Sequence, residues 1–255
     1  MSLTQDIANM VQAANNLTAE VAGKMNQIDS KVNNAVNEIT ETITANNVVT
    51  YYVDAVDGND SNSGSSGSPL KTIKRAMTIC PTGSTAKLYL KRNQRHVIDS
   101  NVRCYALSVE ILPINYNTDT SGAVHYDAST PVIEWAATVT SSGGLFIGGF
   151  KQSLIVEVSP SGQVEFYSNA GKFTLARSKI IIDRPNYKPF IGDEFDYLNV
   201  VKVSLRDATV VKTSGYLARR GCILSADAVT GASTIEELVY GANRDNTLTN
   251  MNFAS

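Results

Sequence analysis

The sequence predicts a mainly β body, residues 48–255, behind an N-terminal α-helical stem, residues 1–47. Three observations carry this. Residues 3–43 contain no proline and repeat apolar side chains with a 4-3 spacing, which marks a long helix with one apolar seam. From residue 48 onward, short β-branched and aromatic runs follow one another, separated by turn formers. After a short helix predicted at 69–80, no helical pattern of useful length intervenes until residues 234–240, which excludes an alternating α/β sheet.

The stem seam comprises Ile7, Val11, Ala14, Val21, Met25, Ile28, Val32, Ala35 and Ile39, interrupted at Thr18. With Val11, Met25, Val32 and Ile39 at heptad position a, the residues Ile7, Ala14, Val21, Ile28 and Ala35 fall at d. β-branched residues at d pack poorly in parallel dimers, so a homotrimer is the expected assembly. A helix of about forty residues rises roughly 60 Å, and alone in water it cannot bury its seam. The alternative is a long amphipathic helix lying on its own β body. Gly23 and many asparagines, among them Asn15, Asn16, Asn33 and Asn34, are weak helix formers. Assembly rather than propensity has to hold such a stem.

Val48–Val53 reads as the first strand, and residues 54–69 are almost all turn formers. Ser68 then offers an N-cap hydroxyl, and Pro69 stands where a missing N–H costs nothing, which predicts a helix over 69–80. Leu70, Ile73 and Met77 share one face of it, with Lys71, Lys74 and Arg75 mostly off that face. A helix placed before a run of strands buries such a face by closing the open end of their stack.

The strand, the loop Gly58-Asn59-Asp60-Ser61-Asn62-Ser63-Gly64 and the helix Ser68-Pro69-Leu70-Lys71-Thr72-Ile73-Lys74-Arg75-Ala76 resemble the opening segment of right-handed parallel β-helix proteins of the pectate-lyase-like superfamily. In that family the segment caps the solenoid. Members with a helical stretch in front of it are commonly bacteriophage tail fibres and tailspikes. The opening Met1-Ser2-Leu3-Thr4-Gln5-Asp6-Ile7-Ala8 is similar to the start of such tail proteins. The specific resemblance covers residues 51–77, and it implies a parallel β-helix-like body.

From the residues alone, the runs at 87–90, 107–112, 132–137, 145–147, 154–158, 164–167, 173–176, 179–182, 200–205 and 209–211 suit either a sandwich or a β-helix. Neighbouring apolar positions, as in Ile180, Ile181 and Ile182, suit strands covered on both faces. Ser159-Pro160-Ser161-Gly162 matches a three-residue hairpin turn. That turn would set Val158 opposite Val164, Val156 opposite Phe166, and Glu157 opposite Glu165. In a β-helix corner this pairing lapses.

Asp183, Asp193, Glu194 and Asp196 share one segment with Tyr187, Phe190, Phe195 and Tyr197. Rings that stack on sugars beside carboxylates that bond hydroxyls are the composition of a carbohydrate-binding cleft. The candidate glycan-binding residues are therefore Asp183, Tyr187, Asp193, Glu194, Asp196 and Tyr197. Glycosidases place two carboxyl groups about 5–9 Å apart, which adjacent strands achieve by geometry alone. Acids so close together read as solvated rather than split into an acid and a base, so no catalytic residue is assigned.

The oxygen-rich loop from Asp54 to Asn62 lacks the spacing and terminal glutamate of a calcium loop. His96 and His125 have neither metal-ligand spacing nor a nucleophile motif beside them. Cys80, Cys104 and Cys222 include no Cys-x-x-Cys, and three mostly buried free thiols are expected. No phosphate loop, dinucleotide fingerprint or zincin motif is present, so neither a metal nor a cofactor is expected. A net charge of -2 supplies no basic field for nucleic acid. The clusters Lys91, Arg92, Arg95 and Arg219, Arg220 read as solvated edges. No stretch reaches the eighteen or so consecutive apolar residues of a membrane span, and no export signal opens the chain.

The resemblance thus implies a tail fibre or tailspike-like virion protein, made in the host cytoplasm, joined to other tail proteins and binding a host-surface glycan or receptor without turnover. A depolymerase of capsular or lipopolysaccharide glycans and a purely structural tail adaptor are the alternatives. The body is short for a spike with a deep catalytic groove, which favours binding or adaptor roles.

Overall fold

The computed structural model describes residues 3–114, 126–148, 153–160, 165–168, 171–184, 189–192, 201–219 and 221–254, and of residues 40–47 the backbone only. The chain divides into two units between residues 46 and 47. The first is one α-helix, Leu3–Asn47, of 45 residues. Its large apolar side chains up to Ile39 are all exposed, from Val21 at 49% to Leu3 at 77%.

The second unit is built from three sheets. Across the first sheet the neighbours run Val48–Val53, Thr85–Leu90, Ser108–Pro113, Gly144–Gly148, Lys172–Ala176, Lys202–Arg206, Ile223–Asp227 and Leu248–Thr249. The second contains Arg95–Ile98, Val132–Trp135, Ile155–Val158, Lys179–Asp183 and Thr209–Ser214. The third contains Val102–Cys104, Val139–Ser141, Phe166–Ser168, Pro189–Ile191, Tyr216–Arg219 and Val239–Tyr240. From Thr85 to Asp227 the chain visits first, second and third sheet in turn. Every pairing between these strands is parallel.

All-parallel pairing rules out the antiparallel sandwich, and it removes the hairpin expected at 159–163. Ile155–Val158 lies in the second sheet between Val132–Trp135 and Lys179–Asp183, whereas Phe166–Ser168 pairs with Val139–Ser141 in the third. The reason is burial: Val156 stacks between Ile133 and Ile180 in a closed core, where an isolated hairpin would leave it half wet. Val164 lies outside the described residues.

Burial alternates along the strands, as in Thr85–Leu90 and Val132–Trp135. The strands are therefore covered on one face within the chain rather than on both, and Ile181 is only partly buried between the enclosed Ile180 and Ile182. Inward residues stand in register. Val109, Leu145, Phe173, Val203 and Leu224 form one such ladder in the first sheet. Ile133, Val156, Ile180 and Val210 form another in the second. Each fully enclosed aliphatic or phenyl side chain contributes about 1.5–3 kcal/mol. Rings from all three sheets meet in the middle. Trp135 packs edge-on against Phe190 at 5.0 Å and Phe166 at 6.1 Å, and Phe173 lies 5.6 Å from Phe166.

The helix before the second strand spans Ile73–Ile79 rather than 69–80, and its N-cap is Thr72, whose hydroxyl accepts from Arg75 N at 3.0 Å. Leu70 is held to the first strand instead: its N–H donates to Tyr52 O and its carbonyl accepts from Asp54 N, both at 2.9 Å. That extended pairing delays the first helical turn. Asp60 marks where it begins, Oδ1 accepting from the N–H groups of Lys71 and Thr72 at 2.9 Å and Oδ2 from the Thr72 hydroxyl at 2.8 Å. Leu70, Ile73, Ala76 and Met77 are buried. The helix packs against the outermost strand of every sheet, Val48–Val53, Arg95–Ile98 and Val102–Cys104. Near residues 234–240 the helix is shorter than expected, Ile235–Leu238, because Val239 and Tyr240 join the third sheet.

Two predictions follow from this packing. Asp60→Ala removes the acceptor that starts the helix, and denaturant unfolding should show a loss of about 1–2 kcal/mol. The second concerns His96, which is buried on the inward ladder with Ile133. Its Nε2–H donates to Lys91 O at 2.9 Å, and Nδ1 has no partner. Burial lowers its pKa below the ordinary 6.5, against the raising influence of the Lys91 carbonyl and Asp54. The folded state thus favours neutral imidazole, a contribution present above pH 6.5 and lost as pH falls below it. The thermal midpoint should drop between pH 7 and 5, and His96→Gln should flatten that interval.

Candidate functional site

Of the acid and ring cluster singled out in the sequence, Asp183 and Phe190 fall within the described residues, and Phe190 is enclosed in the core against Trp135 rather than offered to a sugar. Tyr187, Asp193, Glu194, Asp196 and Tyr197 lie outside the described residues. Asp183 ends its strand on the second sheet, where a register shift after Ile182 sets it beside Ser214. The Ser214 hydroxyl donates to Asp183 Oδ1 at 2.9 Å. The chain then turns at Gly215, whose φ of 82° is left-handed, and enters the third sheet at Tyr216.

This corner collects groups that the sequence scatters. Lys212 stands opposite Ile182, and its Nζ lies 4.7 Å from the centre of the Tyr216 ring. Tyr216 in turn lies 5.2 Å from Tyr240, the planes tilted by 57°. Tyr240 stands in register with Arg219, three residues beyond Tyr216 on the neighbouring strand, and its ring reaches back to Tyr216. Tyr240, Lys212 and Asp183 are exposed and Ser214 and Tyr216 half-buried, so two rings, an ammonium, a hydroxyl and a carboxylate reach the surface in this region. The rings offer a stacking surface and the polar groups offer hydrogen bonds at its border.

Beneath this corner lies a buried charge. Arg184 is 2% exposed, and its Nη1 donates to Pro189 O at 2.6 Å, which fixes the start of the third-sheet strand. Burial lowers the Arg184 pKa, and the charge of Glu165 raises it. Glu237 is committed elsewhere: its carboxylate accepts from the N–H groups of Ser233 at 2.5 Å and Thr234 at 3.3 Å, closing a capping box.

Two carboxylates do occupy adjacent strands. Glu134 and Glu157 are in register on the outer face of the second sheet, and Arg95 Nη1 donates to both, at 3.2 and 2.6 Å. Catalytic acid–base pairs have carboxyl groups driven apart in proton affinity, whereas these two share one cation. The hairpin expectation had set Glu157 against Glu165. In the structure they lie apart, Glu157 on Arg95 and Glu165 buried.

The remaining candidates are structurally committed. Burial opposes ionisation of Asp54, yet Lys91 Nζ at 2.5 Å, the N–H groups of Asp57 and Val56 and the Gln94 amide hold its carboxyl well below the usual range. Lys91, Arg92 and Arg95 pair with Asp54, Asp127 and Glu157, so this basic cluster is neutralised in place. All three thiols are free and buried, and burial pushes Cys222 up to about 11. Among the described residues no three His, Cys, Asp or Glu side chains come together to hold a metal ion. No helix among them is long and apolar enough to cross a membrane. His125 and Arg220 lie outside the described residues.

Comparison with protein-family models, with curated proteins and with solved structures finds no match. Sequence reasoning missed Tyr216 and Tyr240. The signal was their position one visit apart in the same sheet, which shows only once strands as short as Val239–Tyr240 are recognised.

Proposed function

We propose that this chain is a tail fibre or tailspike-like adhesin of a bacteriophage. In this reading the body is a parallel β-helix, the stem joins copies into a homotrimer and docks other tail proteins, and the body binds a host-surface glycan or receptor without turnover. The observation that carries the proposal is the helix Leu3–Asn47, whose large apolar side chains are all exposed up to Ile39, preceding in sequence a body of parallel-paired strands. A helix with such a seam needs a cover, and a heptad spacing of this kind suits other helices as that cover. The corner of Asp183, Lys212, Ser214, Tyr216 and Tyr240 supports binding, since it presents rings and hydrogen-bonding groups with no pair of carboxylates set apart as acid and base.

Assembly is tested by sedimentation equilibrium of the purified chain, which should give three times the monomer mass. Val21→Asp and Ile28→Asp should each shift it toward monomer, and an unassociated wild type would remove the stem from the proposal. Binding is tested with surface polysaccharide from candidate hosts. Tyr216→Ala combined with Tyr240→Ala should weaken it at least about tenfold, or 1.4 kcal/mol. Reducing ends and unsaturated products should stay at background. Product formation abolished by Asp193→Asn or Glu194→Gln would make the chain a depolymerase instead, and a lack of both binding and product would favour the structural adaptor.

A further inference from the structure

The stem seam that breaks at Thr18 becomes continuous once the exposed side chains Leu3, Met10 and Leu17 are read into it. Apolar residues then fall at Leu3, Ile7, Met10, Ala14, Leu17 and Val21, in alternating steps of four and three. They fall again at Met25, Ile28, Val32, Ala35 and Ile39, in steps of three and four. Between Val21 and Met25 a step of four follows a step of four. Such a phase change is a stutter, at which a left-handed coil is locally unwound. Gly23, the weakest helix former of this helix, sits inside that step.

We infer that the stem is a parallel, in-register coil of copies of this chain, built in two phases that change over between Val21 and Met25. Leu3, Met10 and Leu17 then belong to the seam, and Val11 lies beside it. The inference rests on the self-assembling stem proposed above. A phase change has to be met by its partner at the same height. Copies lying side by side in one direction satisfy that at every level, so the partner is a second copy.

Charge supports the same alignment. With Met25 at position a, Lys24 falls at g and Asp29 at the following e, which face each other across a parallel in-register interface. On their own helix they point about 140° apart. Each contact between copies therefore gains one pair of opposite charges. The new phase also puts β-branched Ile7 and Val21 at a with Leu3 and Leu17 at d, which removes the argument against a dimer upstream and leaves the preference for three strands to Ile28.

The test uses the full chain in sedimentation equilibrium, with circular dichroism to check that each variant keeps its sheet signal. Leu17→Ser should weaken association at least about tenfold, and by more than Val11→Ser. Thr18→Leu should leave it unchanged. Lys24→Glu and Asp29→Lys should each weaken it, and the two together should restore it. An oligomer that Thr18→Leu tightens and Leu17→Ser leaves intact overturns the phase change alone, because an unbroken heptad puts Thr18 in the seam. Failure of the double charge swap to restore association overturns the in-register alignment. A monomeric wild type overturns the self-assembling stem itself, and this inference with it.

Discussion

The body depends on vertical stacking: each inward side chain is packed between the residues that stand in register with it on the strands before and after. Such a stack has a weak point at its first layer, which has neighbours on one side only. Val53, Ile98 and Val102 belong to that layer and would face water without the helix that places Ile73, Ala76 and Met77 over them. The helix is short, seven residues, and cannot hold itself. Asp60 starts it, Leu70 ties its approach to the first strand, and Asp54 gathers Lys91 and Gln94 around the end of that strand. Two carboxylates in a polar loop therefore secure the apolar closure of the whole stack.

Parallel register has a second consequence on the outer faces. Residues at one height lie beside each other strand after strand, so like meets like unless something intervenes. Tyr52 and Tyr89 turn this to use by stacking at 5.4 Å. Glu134 and Glu157 are a repulsive neighbour pair that Arg95 converts into a bridged triad. Lys212, Tyr216 and Tyr240 gather because a corner lets two sheets contribute to one patch. Corners carry fewer ladder bonds than strands, and this leaves them free to present side chains outward.

Much of this was legible in the sequence, and the limits follow from length. Strands of the first and second sheets, such as Thr85–Leu90 and Lys179–Asp183, are long enough to be read as apolar or β-branched runs. Third-sheet strands such as Val102–Cys104 and Val139–Ser141 have three residues each, too few for a period of two to show. The cap's apolar face, Ile73 and Met77, was readable from spacing, whereas Leu70, expected on the same face, is extended against the first strand. The start of the helix was not readable, because Asp60 reaches Thr72 across twelve residues and no local rule sees that bond. The hairpin misreading has the same root: Ser159-Pro160-Ser161-Gly162 satisfies local turn chemistry, while long-range burial of Val156 decides the pairing. For the site, Asp183 was visible as an acid beside rings, but its described neighbours Lys212, Ser214 and Tyr216 come from the next visit of the chain to the two sheets.

The two units differ in what they lack. The body encloses its own ladders and closes its own first layer, so its cohesion is a property of one chain. The helix Leu3–Asn47 shows no such closure up to Ile39: its large apolar residues there are exposed, and its asparagines and Gly23 lower its intrinsic stability, so in the proposed assembly its order would be coupled to association. Changes along the seam should therefore act on assembly with little effect on the sheets, while changes in the ladders should act on each chain before assembly is reached. A separation of that kind would suit the proposed adhesin, in which the helix assembles copies and the body binds. Under the proposed function, avidity would come from the number of copies the helix gathers, so that a shallow corner patch on each body could serve without a deep cleft.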